Sequence, residues 1–331
     1  MDLTIAKRER WHFCGNEYYA CSVNIYVAGI NGMVGSAISI EAAKRGHQIS
    51  GKSSRDLDFT DREAVFKELG LVKPDVLIIA AAKVGGIGAN STMPVDFLSI
   101  NLQIQTNLLD SAHSAGISKV IFLGSSCIYP KYATQPIQES SLLSGALEPT
   151  NEPYAIAKIA GLKLVEAYRR QFGRHWISVM PTNLYGPRDN FNLETAHVLP
   201  ALVHRFHNAK IYGEGVVDVW GDGTPLREFL HVTDFASAIL VLLEKYNETP
   251  PINVGSGKEV SIERLATLIA KVVDFSGRIV FNSERPNGTP RKFLDSGRIR
   301  NLGWKPEIEL EFGIASTYEW FITEYERETN N

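Results

Sequence analysis

The run Gly29-Ile30-Asn31-Gly32-Met33-Val34-Gly35 does most to narrow what this chain can fold into. It lies between the short apolar stretch "NIYVAG" and "MVGSAISIEAAKRG", a helical pattern that stops at Gly46. A G-x-x-G-x-x-G loop at the first strand-to-helix turn permits a tight bend. It also brings backbone N–H groups close to a pyrophosphate, at a helix N-terminus whose dipole favours negative charge. Taken alone, such a motif is also met in turns that bind nothing. Its position between strand and helix is what points to a nucleotide.

The rest of the first half alternates in the same way. "HQISGK" reads as a second strand and "REAVFKELGL" as a helix, and Pro74 introduces the strand "DVLIIAA". A longer helix spans 94–115, "KVIFLG" is the next strand, and "PYAIAKIAGLKLVEAYRRQFG" is an amphipathic helix stopping at Gly173. Parallel strands need crossover connections, so the alternation predicts an α/β fold with a Rossmann-like doubly wound parallel sheet. Ligands then belong at the carboxyl ends of the strands, marked here by Gly29, Ala81 and Gly124. After "VMPTNLYGP" the pattern loosens, with recurring Gly and Pro and short strands such as "DVW". The expected organisation is a tail over 1–22, a dinucleotide-binding domain over 23–186 to which later segments return, and a smaller C-terminal α/β substrate lobe over 187–331.

Composition removes several classes of function. The 331 residues are 44% hydrophobic and 21% charged, as in an ordinary soluble globular protein. A net charge of −3 argues against nucleic-acid binding through bulk charge. Three cysteines, Cys14, Cys21 and Cys127, suit neither a disulfide framework nor a four-ligand zinc site, so no metal is expected and Cys127 reads as a free thiol. No apolar run approaches the roughly 18 residues of a membrane helix. The first 22 residues lack the apolar core of a signal peptide and fit neither a helical nor a strand period. They read as a loosely held tail or an upstream-assigned start, and the expected location is cytoplasmic.

Chemistry gathers at two places. Tyr154 and Lys158 are four apart and share a helix face. A nearby ammonium is expected to lower the phenol's pKa and to hold a ribose hydroxyl, which fits Tyr154 as proton donor to a carbonyl receiving hydride. In "GSSCIYP", Ser125 and Cys127 are two apart, so on an extended segment they point the same way. Ser125 can then hold a carbonyl beside Tyr154. A lone cysteine is more often a small buried hydrophobe than a reactive group, and only its neighbours raise Cys127 above that. At the end of the second strand, Lys52, Ser53, Ser54 and Arg55 lean towards the 2′-phosphate of NADP, although a solvated turn reads almost the same.

These residues resemble those of the extended short-chain dehydrogenases/reductases that act on nucleotide sugars. "GMVGSAI", "AAAKVGGI", "FLGSSCIYP", "LEPTNEPYAIAKIAG", "VMPTNLYGP", "GTPLREFLHV" and "NGTPRK" narrow the likeness to the GDP-L-fucose synthase family, the GDP-4-keto-6-deoxy-D-mannose 3,5-epimerase-4-reductases. The resemblance runs from about 24 to 325. It implies that Ser125, Tyr154 and Lys158 form the reductase triad, that Cys127 is the epimerisation base, and that His197 is its acid. It implies NADP(H) contacts from Gly29, Ile30, Asn31, Gly32, Met33, Val34 and Gly35. Further contacts are implied for Leu123, Gly124, Ser125 and Ser126, for Pro181, Thr182, Asn183 and Leu184, and for Lys158 and His197. Arg205, Trp220, Arg227, Arg278 and Lys292 match positions around the GDP-sugar, where a guanidinium fork suits phosphate oxygens. A homodimer pairing through two long helices of each subunit, here 94–115 and 153–172, is implied by analogy. By spacing alone His197 is not distinguishable from His231. The family's glycine loop often holds a basic residue where this chain has Ile30-Asn31, so the preference between NADPH and NADH rests on the second strand.

The implied chemistry uses one carbonyl twice. It acidifies C3 and C5 for proton removal by Cys127 and return by protonated His197, and then accepts hydride at C4 with a proton from Tyr154. A 4,6-dehydratase would need a carboxylate where the strand end reads Ser126-Cys127-Ile128. A 4-epimerase would not need Cys127 or His197, and a dinucleotide-sensing regulator would not need the triad.

Overall fold

The computed structural model describes residues 11–14, 17–20, 22–284 and 288–325. Its main sheet has six parallel strands: Asn24–Ala28, Gln48–Lys52, Val76–Ile79, Lys119–Leu123, Ile177–Pro181 and Ile252–Val254. Numbered in chain order, they lie side by side as 2-1-3-4-5-6. The runs "VLII", "KVIFL" and "ISVMP" are buried throughout, as befits parallel strands covered on both faces. Alternate residues supply the two faces. Ile25, Val27, Ile78, Ile121 and Val179 meet the helices Met33–Lys44 and Val232–Lys245 through Ile38, Phe235 and Ile239. Tyr26, Leu77, Ile79, Val120 and Phe122 meet Arg62–Val72, Asn101–Ser114 and Glu152–Phe172 through Leu69, Leu108 and Leu162. Each fully buried aliphatic side chain contributes roughly 1.5–3 kcal/mol. The doubly wound α/β reading therefore holds.

The order 2-1-3 has a functional consequence. The chain leaves the first strand to one side and returns for the third on the other, so a crevice opens between their carboxyl ends. The glycine loop and Ala80–Ala81 border it.

A second body follows Tyr185. Its strand Leu226–His231 pairs with Asn183–Tyr185, Glu259–Ser261 and Arg291–Lys292. Val216–Trp220 pairs in parallel with Arg278–Asn282. The helices Val198–Ile211, Ile262–Val273 and Leu310–Trp320 close a separate core around Val203, Phe206, Leu265, Ile269 and Ile314. The sixth strand and the Val232–Lys245 helix, both late in the chain, belong to the main sheet.

Three local features differ from the sequence reading. The helix expected over 94–115 is a π-helical turn, Asp96–Ile100, running into an α-helix, Asn101–Ser114. Its extra residue aims buried Asn101 at Lys83, whose N–H it accepts at 2.9 Å and whose carbonyl it bonds at 2.9 Å. A short helix, Ile87–Thr92, occupies part of "AAAKVGGIGANST", where no element was expected. In the stretch read as a tail without strand period, Trp11–Cys14 and Glu17–Ala20 pair as an antiparallel hairpin, while 1–10, 15–16 and 21 lie outside the described residues.

Candidate active site

The glycine loop is held by its own backbone. Gly29 adopts φ +86°, a conformation that L side chains rarely take, and the N–H groups of Gly29 and Ile30 donate to Lys52 O at 2.8 and 3.2 Å. A Cβ on Gly35 would lie 2.1 Å from Gly29 O, so the helix can start this close to the strand only without one. Gly32 precedes that helix with no side-chain cap, and no acid stands in its first turn. Asn31 and Gly32 face solvent, flanked by half-buried Ile30, Met33 and Val34. Uncapped N–H groups on an open rim suit a diphosphate.

At the end of the second strand an acid joins the basic residues. Asp56 accepts the Ser53 hydroxyl at 2.6 Å and the Ser53 N–H at 3.1 Å. The Ser53 bonds, then the charges of Lys52 and Arg55, hold its carboxyl below the usual range. The sequence reading passed over Asp56. Four-residue turns of the type Ser-x-x-Asp are the signal that could have found it.

Ser125, Cys127, Tyr154 and Lys158 meet at the end of the fourth strand. The segment after Leu123 is not extended as expected. Ser125 is extended (φ −161°, ψ 149°), but Ser126–Ile128 form a 3₁₀ turn, with Cys127 N–H donating to Ser125 Oγ at 3.2 Å. A serine that accepts the N–H two residues on bends the chain in this way. Tyr154 hydrogen-bonds Ser125, and burial and then the Cys127 charge push its phenol well above the usual value. The expected lowering by Lys158 is not found. The Lys158 Nζ is held by Leu123 O at 2.8 Å and stands 5.9 Å from the Tyr154 ring centroid, and burial brings its own pKa down to about 8. The ammonium is turned to the Leu123 carbonyl rather than to the phenol oxygen, and the phenol stays protonated.

The thiol is surrounded by polar groups from distant segments. Asn151 Nδ2 lies 3.5 Å and Lys292 Nζ 3.6 Å from Cys127 Sγ, and Arg227 is near enough for the Cys127 charge to favour its cation. Burial nevertheless brings the Arg227 guanidinium down to about 10. Lys292 and Arg227 are register partners on parallel strands and so emerge on one face.

His197 is the residue that opens the Val198–Ile211 helix, and its ring makes no capping bond. Its side chain remains exposed, but packed neighbours that desolvate the ring, then the Lys292 charge, push its pKa below the ordinary histidine value. The loop leading to it lies over Gly86, whose N–H donates to Thr195 O at 2.8 Å, and a Cβ there would come 2.3 Å from Ala196 O. Neither Asn151 nor Gly86 was singled out from sequence.

Further out, Arg205 donates to Asp218 O at 3.2 Å and stacks its guanidinium 5.2 Å from the exposed Trp220 ring. Arg278 is exposed and pairs with Val216, whereas Trp220 pairs with Asn282. Four strand residues, about 13 Å, thus separate Arg278 from Trp220. Arg205, bonded to Asp218, lies between them along the strands. Pro181 ends the fifth strand, and Thr182 and Asn183 side chains donate to Glu228 O at 3.1 and 2.8 Å. Their backbone and Leu184 form the floor between the two bodies.

Residues 25–255 match the NAD dependent epimerase/dehydratase family. A GDP-L-fucose synthase of Sinorhizobium fredii is 52% identical over 299 residues, 90% of this chain and 95% of the relative. The GDP-L-fucose synthase of Escherichia coli is 51% identical over 313 residues, 92% and 98% of the two chains. The chain belongs to the GDP-L-fucose synthase family. Among solved structures, a GDP-L-fucose synthetase from Naegleria fowleri bound to NADP superposes with a TM-score of 0.84 at 30% identity, covering 92% of this chain and 95% of that one.

Proposed function

We propose that this enzyme converts GDP-4-keto-6-deoxy-D-mannose to GDP-L-fucose, by epimerisation at C3 and C5 followed by NADPH-dependent reduction at C4. The observation that carries the reading is the convergence of Ser125, Tyr154 and Lys158 with the Cys127 thiol at one strand end. The cofactor is NADP(H), and when bound it supplies the hydride. The uncapped loop from Gly29 to Gly35 holds its diphosphate, Lys158 its ribose, and Lys52 and Arg55 its 2′-phosphate. Leu123 to Ser126, Pro181 to Leu184 and His197 complete its walls.

Ser125 and Tyr154 hold the C4 carbonyl and stabilise the enolate oxygen. Cys127 removes the C3 and C5 protons as thiolate. His197 returns a proton on the other face, and its lowered pKa makes its cation a stronger acid that is scarce at neutral pH. Tyr154, protonated throughout, gives its proton when C4 is reduced. Arg205, Trp220, Arg227 and Lys292 face the GDP-sugar. Arg278 stands four strand residues from Trp220, towards the Arg205 side.

The reading includes a homodimer formed through 94–115 and Glu152–Phe172, where Val95 and Ile156 are exposed. It also includes a cytoplasmic location, where a free thiol stays reduced. Among the described residues no helix is long and apolar enough to cross a membrane.

The test is incubation with GDP-4-keto-6-deoxy-D-mannose and NADPH, with the product resolved by NMR. GDP-L-fucose is expected. A reduced product retaining the D configuration at C5 would overturn the epimerase half, and no consumption of NADPH the reductase half.

A further inference from the structure

Cys127 and Lys292 are 165 positions apart, yet their sulfur and nitrogen are 3.6 Å apart. The other charges around the thiol have carboxylate neighbours. Lys131 lies 3.9 Å from Glu148, Arg291 is paired with Glu259 at 2.5 Å, and Arg227 feels both Glu148 and Cys127. Tyr154 and Asn151 face the sulfur from the Glu152–Phe172 helix and its N-terminus, Ser126 and Tyr129 line the same small cavity, and His197 feels the Lys292 charge. Among the described residues no carboxylate is paired with Lys292. The partner the structure shows for its ammonium is the sulfur.

We propose that Lys292 is a positioning residue for the epimerisation base, the counter-ion that keeps Cys127 as an oriented thiolate, in addition to any contact it makes with the sugar nucleotide. The inference rests on the reading of Cys127 as that base. In each deprotonation the carbon–hydrogen pair moves into the enolate, the proton passes to sulfur, and the ammonium keeps all its protons, so nothing is oxidised or reduced. The same positive charge opposes protonation of His197. Removing it therefore displaces both partners in one direction: the thiol becomes harder to ionise and the imidazole easier to protonate.

Alkylation by iodoacetamide reads the thiolate without turnover, because sulfur displaces iodide. In the full chain saturated with NADPH, modification of Cys127 is followed by peptide mass at pH 7 and pH 9.5. Lys292→Met is expected to slow it at least tenfold at pH 7 and less than twofold at pH 9.5, above the pKa of about 8.5 of an ordinary free thiol. Lys292→Arg is expected to keep at least half of the wild-type rate at pH 7. The high-pH rate also shows that each variant is folded around the site. Equal rates for Lys292→Met and wild type at both pH values would overturn the proposal, as would a Lys292→Arg variant that behaves like Lys292→Met. Solvent-deuterium exchange at C3 and C5 tests the underlying reading separately. If Cys127→Ser keeps that exchange, the base is elsewhere whatever the alkylation shows.

Discussion

Lys158 answers to two opposing demands. It must stand next to Tyr154, yet it is buried, and moving its pKa from 10.5 to about 8 corresponds to about 3 kcal/mol of desolvation. The folded state binds its proton less tightly than the unfolded chain does. The penalty is therefore full below pH 8, is relieved as pH rises from 8 to 10.5, and is gone above. Lys158→Met loses the bond to Leu123 O, worth about 1 kcal/mol, but removes the larger penalty. Its Tm at pH 7 is expected to equal or exceed that of the wild type, with the advantage shrinking by pH 10, while reduction is lost. A melting point several degrees lower at pH 7 would count against the burial argument. Two further substitutions separate the two halves of the chemistry. Cys127→Ser is expected to stop exchange at C3 and C5 but leave reduction of the keto sugar measurable. Tyr154→Phe is expected to lower hydride transfer by about 10²–10⁴, while exchange continues at a reduced rate through the enolate contact that Ser125 keeps. Loss of both activities in either folded variant would show that the two steps depend on the same groups.

At the scale of elements, what the sequence revealed and what it hid have one cause. Periodicity reports which faces are apolar, so the strands "VLII" and "KVIFL" and the helix over Glu152–Phe172 were legible to within a residue or two. It does not report how polar side chains bend a backbone. The 3₁₀ turn capped by Ser125 and the π-helical turn before Asn101 were therefore missed. The Tyr154–Lys158 pair could be read because its spacing is helical. Lys292 could be placed next to Cys127 only through space, and His197 was separable from His231 only by resemblance. Gly86 belongs to this level too. Its missing Cβ lets one loop lie against the loop that carries His197. Gly86→Ala is expected to push Ala196 and His197 outward, cutting isotope exchange at least tenfold while NADPH affinity changes less than threefold. Unchanged exchange would mean that the contact is passive.

At the scale of the molecule, Glu228 holds the seam. It is fully buried on the strand Leu226–His231 and accepts the N–H groups of Gly257 at 2.7 Å and Leu294 at 3.1 Å, while its own carbonyl receives Thr182 and Asn183. Burial raises its carboxyl pKa above 4.5, so this group stabilises the fold less as pH rises through that interval. Glu228→Gln keeps the shape but turns an amide N–H₂ towards donors, a mismatch of about 1–3 kcal/mol. A lowered Tm is expected, with the two bodies melting less cooperatively by calorimetry. A single transition at the wild-type temperature would show that the seam does not depend on this carboxylate.

The sixth strand also limits how this protein can be divided or recombined. Ile252–Val254 seals the edge of Ile177–Pro181, and the Val232–Lys245 helix covers a sheet face, although both are encoded between two stretches of the second body. A gene ended after Gly186 would yield a nucleotide-binding half with an open edge and a bare apolar face, which invites strand-to-strand aggregation. Exchanging sugar-binding parts between relatives should therefore follow segments 187–231 and 256–325 as two inserts in a continuous host, not as one detachable tail.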